Sequence, residues 1–166
     1  MPKSDQGIQS NRYTVIPRTL IFVIRDDEVL LIKGGPHKQL WANLYNGIGG
    51  HIERGEDVIK AARRELKEET GLIVPDLCLV GTILVDASDS TGVCIYVMRG
   101  DFTGGEIRSS AEGQSEWVKL SDVDRLPLVE DLKIILRRVM SMRTSDAPFS
   151  ARSYYDADDR LQVLFG

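Results

Sequence analysis

Apolar residues recur along the chain with two different periods. Runs rich in β-branched and aromatic residues at 13–16, 19–24, 29–32, 77–85, 93–98, 117–120, 149–155 and 160–165 predict strands. Pro17 interrupts the first pair, and Asp26-Asp27 turns 19–24 into 29–32 as a hairpin. Asp156 to Asp159 separates the last two runs, so 149–165 reads as a C-terminal β-hairpin. Two longer stretches carry the helical period instead. Over 129–142, Leu132, Ile135, Leu136 and Val139 form one apolar stripe. Over 56–70 there is no Pro or Gly, Val58, Ile59, Ala62 and Leu66 share a face, and Gly71 supplies the stop with Pro75 beyond it. The sum is an α/β fold, a mixed sheet with helices able to cover both faces.

The polar stretches fill in the remainder. Residues 1–11 read as a flexible tail, and the Gly- and Ser-rich segment 103–115 as a mobile loop bordered by Glu106, Glu112 and Glu116. Residues 33–44 form a loop feeding a glycine-rich turn. Lys33, at its start, either reaches a phosphate or base or is an ordinary edge lysine, and Trp41 is expected as a packing anchor. His37 and His51 are loop histidines with no second ligand at metal-site spacing, which favours hydrogen-bonded over metal-bound side chains.

Composition narrows the class. With 166 residues and 42% hydrophobic content, the chain suits a single domain over 1–166 with its own core. A net charge of −4 and a pI near 5.2 give no bulk attraction for a nucleic acid duplex. No apolar run is long enough for a membrane span and no signal peptide is evident, so a cytoplasmic protein is expected, as a monomer or homodimer, with Cys78 and Cys94 reduced in the core.

The chemistry concentrates between Gly50 and Leu72, a stretch holding five glutamates. Glu65, Glu68 and Glu69 lie at i, i+3 and i+4, so their carboxylates converge on one helix face, where like charges each cost a few tenths of a kcal/mol. Arg64, one turn before Glu68, offsets part of this repulsion. A hard cation such as Mg²⁺, or Mn²⁺ in its place, would cancel the rest; a solvated acidic face is the alternative. Ahead of the helix, Asn46-Gly47-Ile48-Gly49-Gly50-His51 is a turn-rich loop whose small residues let backbone approach a ligand.

Gly50, Glu56, Arg64-Glu65, Leu66, Glu68-Glu69, Gly71 and Leu72 fill every fixed position of G-x5-E-x7-R-E-U-x-E-E-x-G-U, with U aliphatic. A chance match at average residue usage is below about one in a million. This resembles the signature of the Nudix hydrolases, whose fold is an α/β/α sandwich around a mixed sheet. The resemblance implies an enzyme that directs water onto a phosphorus of a diphosphate bond. It gives Glu65, Glu68 and Glu69 the metal-binding role, the Gly50 carbonyl a further ligand position, Arg64 the positioning of Glu68 or of phosphate, and Glu56 a supporting role. The general base is then Glu68 or Glu69, with Glu112 next.

Weaker marks bear on the substrate. A proline or tyrosine about sixteen residues past the signature, as in ADP-ribose pyrophosphatases or dinucleoside polyphosphate hydrolases respectively, is missing, because Ser88 stands there. Tyr13-Thr14, the N-G-x-G-G turn, Glu112 before Trp117, Leu126-Pro127 and the aromatic terminal hairpin resemble the subfamily that sanitises oxidised purine nucleoside triphosphates such as 8-oxo-dGTP, releasing a monophosphate and pyrophosphate. By that resemblance Asn46 reads a purine edge, for which its amide has both donor and acceptor; closing an Asn-Gly turn is its plainer role. Asp131, of the pair Glu130-Asp131, reads the base or else merely caps a helix N-terminus. His51 stands where relatives often have lysine. Hydrolysis of ADP-ribose or another nucleoside diphosphate derivative, and a non-catalytic nucleotide-sensing module, are the competing functions.

Overall fold

Alternation within the strands decides where the helices pack. In the computed structural model, which describes residues 2–7, 11–37 and 40–166, strand β1 (Thr14–Arg25) contributes Leu20, Phe22 and Ile24 to one core and Ile21 and Val23 to another. Strand β2 (Glu28–Gly34) divides likewise, Val29 and Leu31 against Leu30 and Ile32. Period-two side chains thus give the sheet two apolar faces. Helix α1 (Val58–Thr70) adds Ala62 and Leu66 to one, and helix α2 (Leu132–Ser141) adds Leu132, Ile135, Leu136 and Val139 to the other. The expected α/β sandwich, a mixed sheet between helices, results.

The eight strands include β3 (Tyr45–Asn46), β4 (Cys78–Val85), β5 (Thr91–Asp101), β6 (Gly113–Lys119), β7 (Phe149–Tyr155) and β8 (Leu161–Phe165). Their order is β3-β2-β1-β5-β4-β7-β8, with β6 also paired to β2. Strands β1 and β5 run parallel, as do β4 and β7, while β7 and β8 form the terminal hairpin read from the sequence.

One irregularity positions the site. Strand β2 stays with β1 only at Ile24–Val29 and Arg25–Glu28, then pairs with β6 and β3. The edge of β1 left open is taken by the glycine loop: Thr19 N donates to Gly50 O at 2.8 Å, Ile21 N to Ile48 O at 2.7 Å, and Ile52 N to Pro17 O at 3.1 Å. Pro17 therefore does not interrupt the strand. Its nitrogen, on the same side as its carbonyl, faces this irregular edge, so the missing N–H leaves the β1–β5 ladder intact.

Helix α1 begins at Val58 because Asp57 caps it, accepting from Lys60 N at 2.9 Å. It ends at Gly71, whose φ of 77° lets its N–H reach Lys67 O at 2.9 Å. Glu56 thus lies in the turn before the helix, outside the span expected for it.

Other expectations change. Strand β6 starts at Gly113, earlier than read, so the end of the segment expected as mobile is sheet. Cys78 and Cys94 are free thiols, but Cys78 is exposed at the start of β4. Lys3–Gln6 form one 3₁₀ turn, while residues 1 and 8–10 of the expected tail and 38–39 of the expected loop lie outside the described residues. Among the described residues no helix is long and apolar enough to cross a membrane.

Candidate active site

Helix α1 presents its carboxylates in unequal environments. Glu69 points inward and is 8% exposed, accepting from Gly49 N at 3.0 Å. The Glu68 side chain, on the outer flank, is 59% exposed. Between them in space, Glu65 packs against the loop: a Cβ built on Gly50 would lie 2.6 Å from Glu65 Oε1, so only glycine lets the loop backbone come this close.

Arg64 ties the acidic groups together. Its Nε and Nη2 bind the two Glu56 oxygens at 2.9 Å each, Nη1 reaches Glu65 Oε1 at 2.7 Å and Glu68 Oε2 at 3.1 Å, and Nη2 also donates to His51 O at 3.0 Å. This two-point grip holds the Glu56 carboxyl down at about 2, and the three carboxylates raise the guanidinium above its ordinary value. Glu56 is thereby a brace for Arg64, and Arg64 a brace for the helix glutamates and the loop.

The donor set suits a hard divalent cation, since it is all oxygen and carries excess negative charge. Glu65 and Glu69 are each already held against the Gly49-Gly50 backbone, which brings two carboxylates to one short stretch of loop, while Gly50 O accepts from Thr19 N. Among the described residues no three acidic, histidine or cysteine side chains yet meet as a closed cage. Glu68, held by Arg64 and largely in solvent, is the member with freedom to turn.

Beside the helix opens a cleft of about 430 Å³. Asn46, Gly50, Glu69, Glu112 and Asp131, each singled out from the sequence, all border it. Asn46 accepts from Gly47 N at 2.8 Å through Oδ1, so it closes the turn and lines the cleft at once. Glu112 is delivered by a tight turn in which Ser110 and Gly113 exchange backbone bonds and Ser110 Oγ accepts from Glu112 N at 3.1 Å. Asp131 precedes α2 but makes no capping bond. Burial, with Glu130 nearby, pushes its carboxyl above the ordinary aspartate range.

Some candidates fall elsewhere. Lys33 Nζ sits 5.5 Å from the Tyr45 ring centroid and borders a separate hollow with His37. Glu116 is engaged by Tyr45, whose hydroxyl donates to it at 2.6 Å and is pushed up to about 12 by that bond, and Glu106 does not line the cleft. Trp41, expected as an anchor, is 43% exposed on the cleft wall in a left-handed conformation, φ 60°. That conformation is costly for a bulky residue, and such costs cluster at ligand sites. The sequence reading passed over Arg18, Leu44 and Val129 as cleft residues; only the register of the loop on β1 and the Tyr45–Val129 bonding place them there.

Comparison with known proteins agrees with this architecture. The NUDIX domain model matches residues 15–139. The chain is 36% identical over 110 residues to the oxidized purine nucleoside triphosphate hydrolase of Danio rerio, covering 66% of this chain and 67% of that protein. It is 35% identical over 106 residues to an ADP-ribose pyrophosphatase of Methanocaldococcus jannaschii, covering 61% and 60%. The crystal structure of the mutator protein MutT from Bacillus halodurans superposes with a TM-score of 0.75 at 25% identity, covering 91% of this chain and 97% of that one. With the signature complete, three of its glutamates braced by Arg64 and the matched domain spanning most of the sandwich, the chain belongs to the Nudix hydrolase family.

Proposed function

We propose that the protein is a Mg²⁺-dependent hydrolase that converts a purine nucleoside triphosphate, oxidised purines included, to the monophosphate and pyrophosphate. One observation carries this: Asn46, Glu69, Glu112 and Asp131, from four separate stretches, border one cleft. Base-reading groups and carboxylates thereby share a single binding space.

Glu65, Glu68, Glu69 and the Gly50 carbonyl would hold the metal. Bound there, Mg²⁺ supplies the charge neutralisation that a polyanionic diphosphate needs. The protein's own groups do the rest. Arg64 keeps Glu65 and Glu68 oriented and pins the loop through His51 O. Glu69 and Glu112 are the carboxylates that border the cleft, and one of them takes the proton of the attacking water. Asn46 offers its amide to the purine edge, and Asp131, whose carboxyl burial pushes up, donates to an acceptor on the base where it is protonated. Trp41, Leu44 and Val129 give the base an apolar wall that excludes water.

The similarity to the Danio rerio enzyme supports oxidised purine triphosphates, and that to the archaeal pyrophosphatase keeps ADP-ribose as the second candidate. A screen of oxidised and normal nucleoside triphosphates, ADP-ribose and dinucleoside polyphosphates, with and without Mg²⁺ and with products identified by mass spectrometry, tests the proposal. Release of pyrophosphate and a purine monophosphate is expected. Turnover confined to ADP-ribose, or undiminished without divalent metal, would contradict it.

A further inference from the structure

Two arginines flank the glycine loop and are used differently. Arg64 is taken up by Glu56, Glu65, Glu68 and His51 O. The Arg18 side chain, on β1, has one hydrogen bond among the described residues, from its Nε to His51 Nε2 at 3.1 Å, and no ion pair. Of the described residues that border the cleft, Arg18 is the one fixed cation, alongside the carboxylates Glu69 and Glu112. A half-buried guanidinium that shares the cleft with Glu69 and Glu112 and pairs with neither has both terminal amino groups available to an anion.

Its place along the cleft specifies which anion. Arg18 pairs across the β1 edge with His51, next to Gly49-Gly50, and Gly49 N donates to Glu69 at 3.0 Å, so Arg18 stands at the end of the cleft that Glu69 borders. Asn46 and Asp131 belong to the other end, joined through the bonds of Tyr45 N to Pro127 O at 2.8 Å and Val129 N to Tyr45 O at 3.0 Å. A nucleotide with its base at the Asn46 end extends its phosphate chain toward Arg18. The Nε–His51 bond fixes the plane of the guanidinium, and its accepting Nε2 leaves the other ring nitrogen as a donor.

We infer that Arg18, oriented by His51, receives the phosphoryl groups beyond the scissile bond and so selects substrates with a charged phosphate terminus over diphosphates capped by a sugar. This rests on the proposed function and deepens it. It makes Arg18 a binding residue and His51 a positioning residue.

Titration calorimetry with inorganic pyrophosphate in Mg²⁺ buffer, and separately with GMP, tests it on the wild-type chain and on Arg18→Gln, Arg18→Lys and His51→Gln. Arg18→Gln is expected to weaken pyrophosphate binding at least about tenfold while changing GMP binding less than about twofold, because a forked charge-assisted contact is lost. Arg18→Lys keeps the charge without the fork, so a loss of about threefold is expected, and it carries the test if Arg18→Gln does not fold. His51→Gln is expected to cost about threefold. In steady state, Arg18→Gln raises KM for a triphosphate at least about tenfold more than for ADP-ribose. Unchanged pyrophosphate affinity in Arg18→Gln and Arg18→Lys, equal loss of pyrophosphate and GMP, or no pyrophosphate binding by the wild type would overturn the inference. Arg18-dependent pyrophosphate binding in a protein that turns over no triphosphate would overturn the proposed substrate and leave the anion site standing.

Discussion

The glutamate helix and the cleft beside it are built from opposite kinds of sequence. On α1 the chemical groups lie within 64–69 of one 13-residue helix, with Glu65 and Glu68 held by one arginine and Glu69 by Gly49 N, so their geometry follows from helical periodicity and a local bonding hub. The cleft draws Arg18, Asn46, Glu112 and Asp131 from positions spread over most of the chain, and only strand register brings them together. Even neighbours on the helix diverge: Glu69 is 8% exposed in the cleft, whereas the Glu68 side chain is 59% exposed on its flank. A contiguous motif can hold reaction chemistry constant, while the dispersed Arg18, Asn46 and Asp131 can vary substrate choice without touching it.

That division yields separable effects. The largest is expected on the helix, where Glu69→Gln or Glu68→Gln lowers kcat at least about a hundredfold by weakening transition-state stabilisation. Near-normal turnover in both, with circular dichroism melts like wild type, would break the assignment. On the cleft wall, Asn46→Ala is expected to cost about tenfold in KM for the preferred purine, as one buried amide contact is lost, with kcat falling less. An equal fall in kcat for every substrate would move Asn46 to the chemical side.

A subtler mark comes from Asp131. Its carboxyl is raised by burial, so the neutral donor form persists above the ordinary aspartate range and is lost as pH rises through the raised value. Purine binding should therefore weaken with rising pH in the wild type, and Asp131→Asn should flatten the KM–pH profile. The smallest effect is on stability. Glu56 titrates at about 2 in the fold against 4.5 unperturbed, so its contribution is present above about 4.5 and fades as pH falls toward 2. Thermal melts across that window should show a shallower acid loss in Glu56→Gln than in wild type.

The same contrast explains what could be read before the structure. The α1 glutamates, the two apolar helix stripes and the terminal hairpin are local patterns, and they stand where periodicity put them. Pro17 misled because local propensity cannot show which strand edge its nitrogen faces; the loop along β1 decides that. Trp41 misled because its aromatic character suits a core and a ligand wall equally, and a left-handed backbone turns it outward. Among the three acids bordering the polar loop, only the resemblance singles out Glu112, and the Ser110–Gly113 turn separates it from Glu116, which Tyr45 holds. Arg18 gave no local signal, since an arginine within a strand is unremarkable until His51 lies beside it.

The most direct test compares kcat/KM for an oxidised and an unmodified purine nucleoside triphosphate in wild type, Glu69→Gln and Asn46→Ala. Glu69→Gln is expected to depress both substrates by a similar factor and keep their ratio, while Asn46→Ala shifts the ratio several-fold. A changed ratio in Glu69→Gln together with an unchanged one in Asn46→Ala would contradict the separation of chemistry on the helix from selection in the cleft.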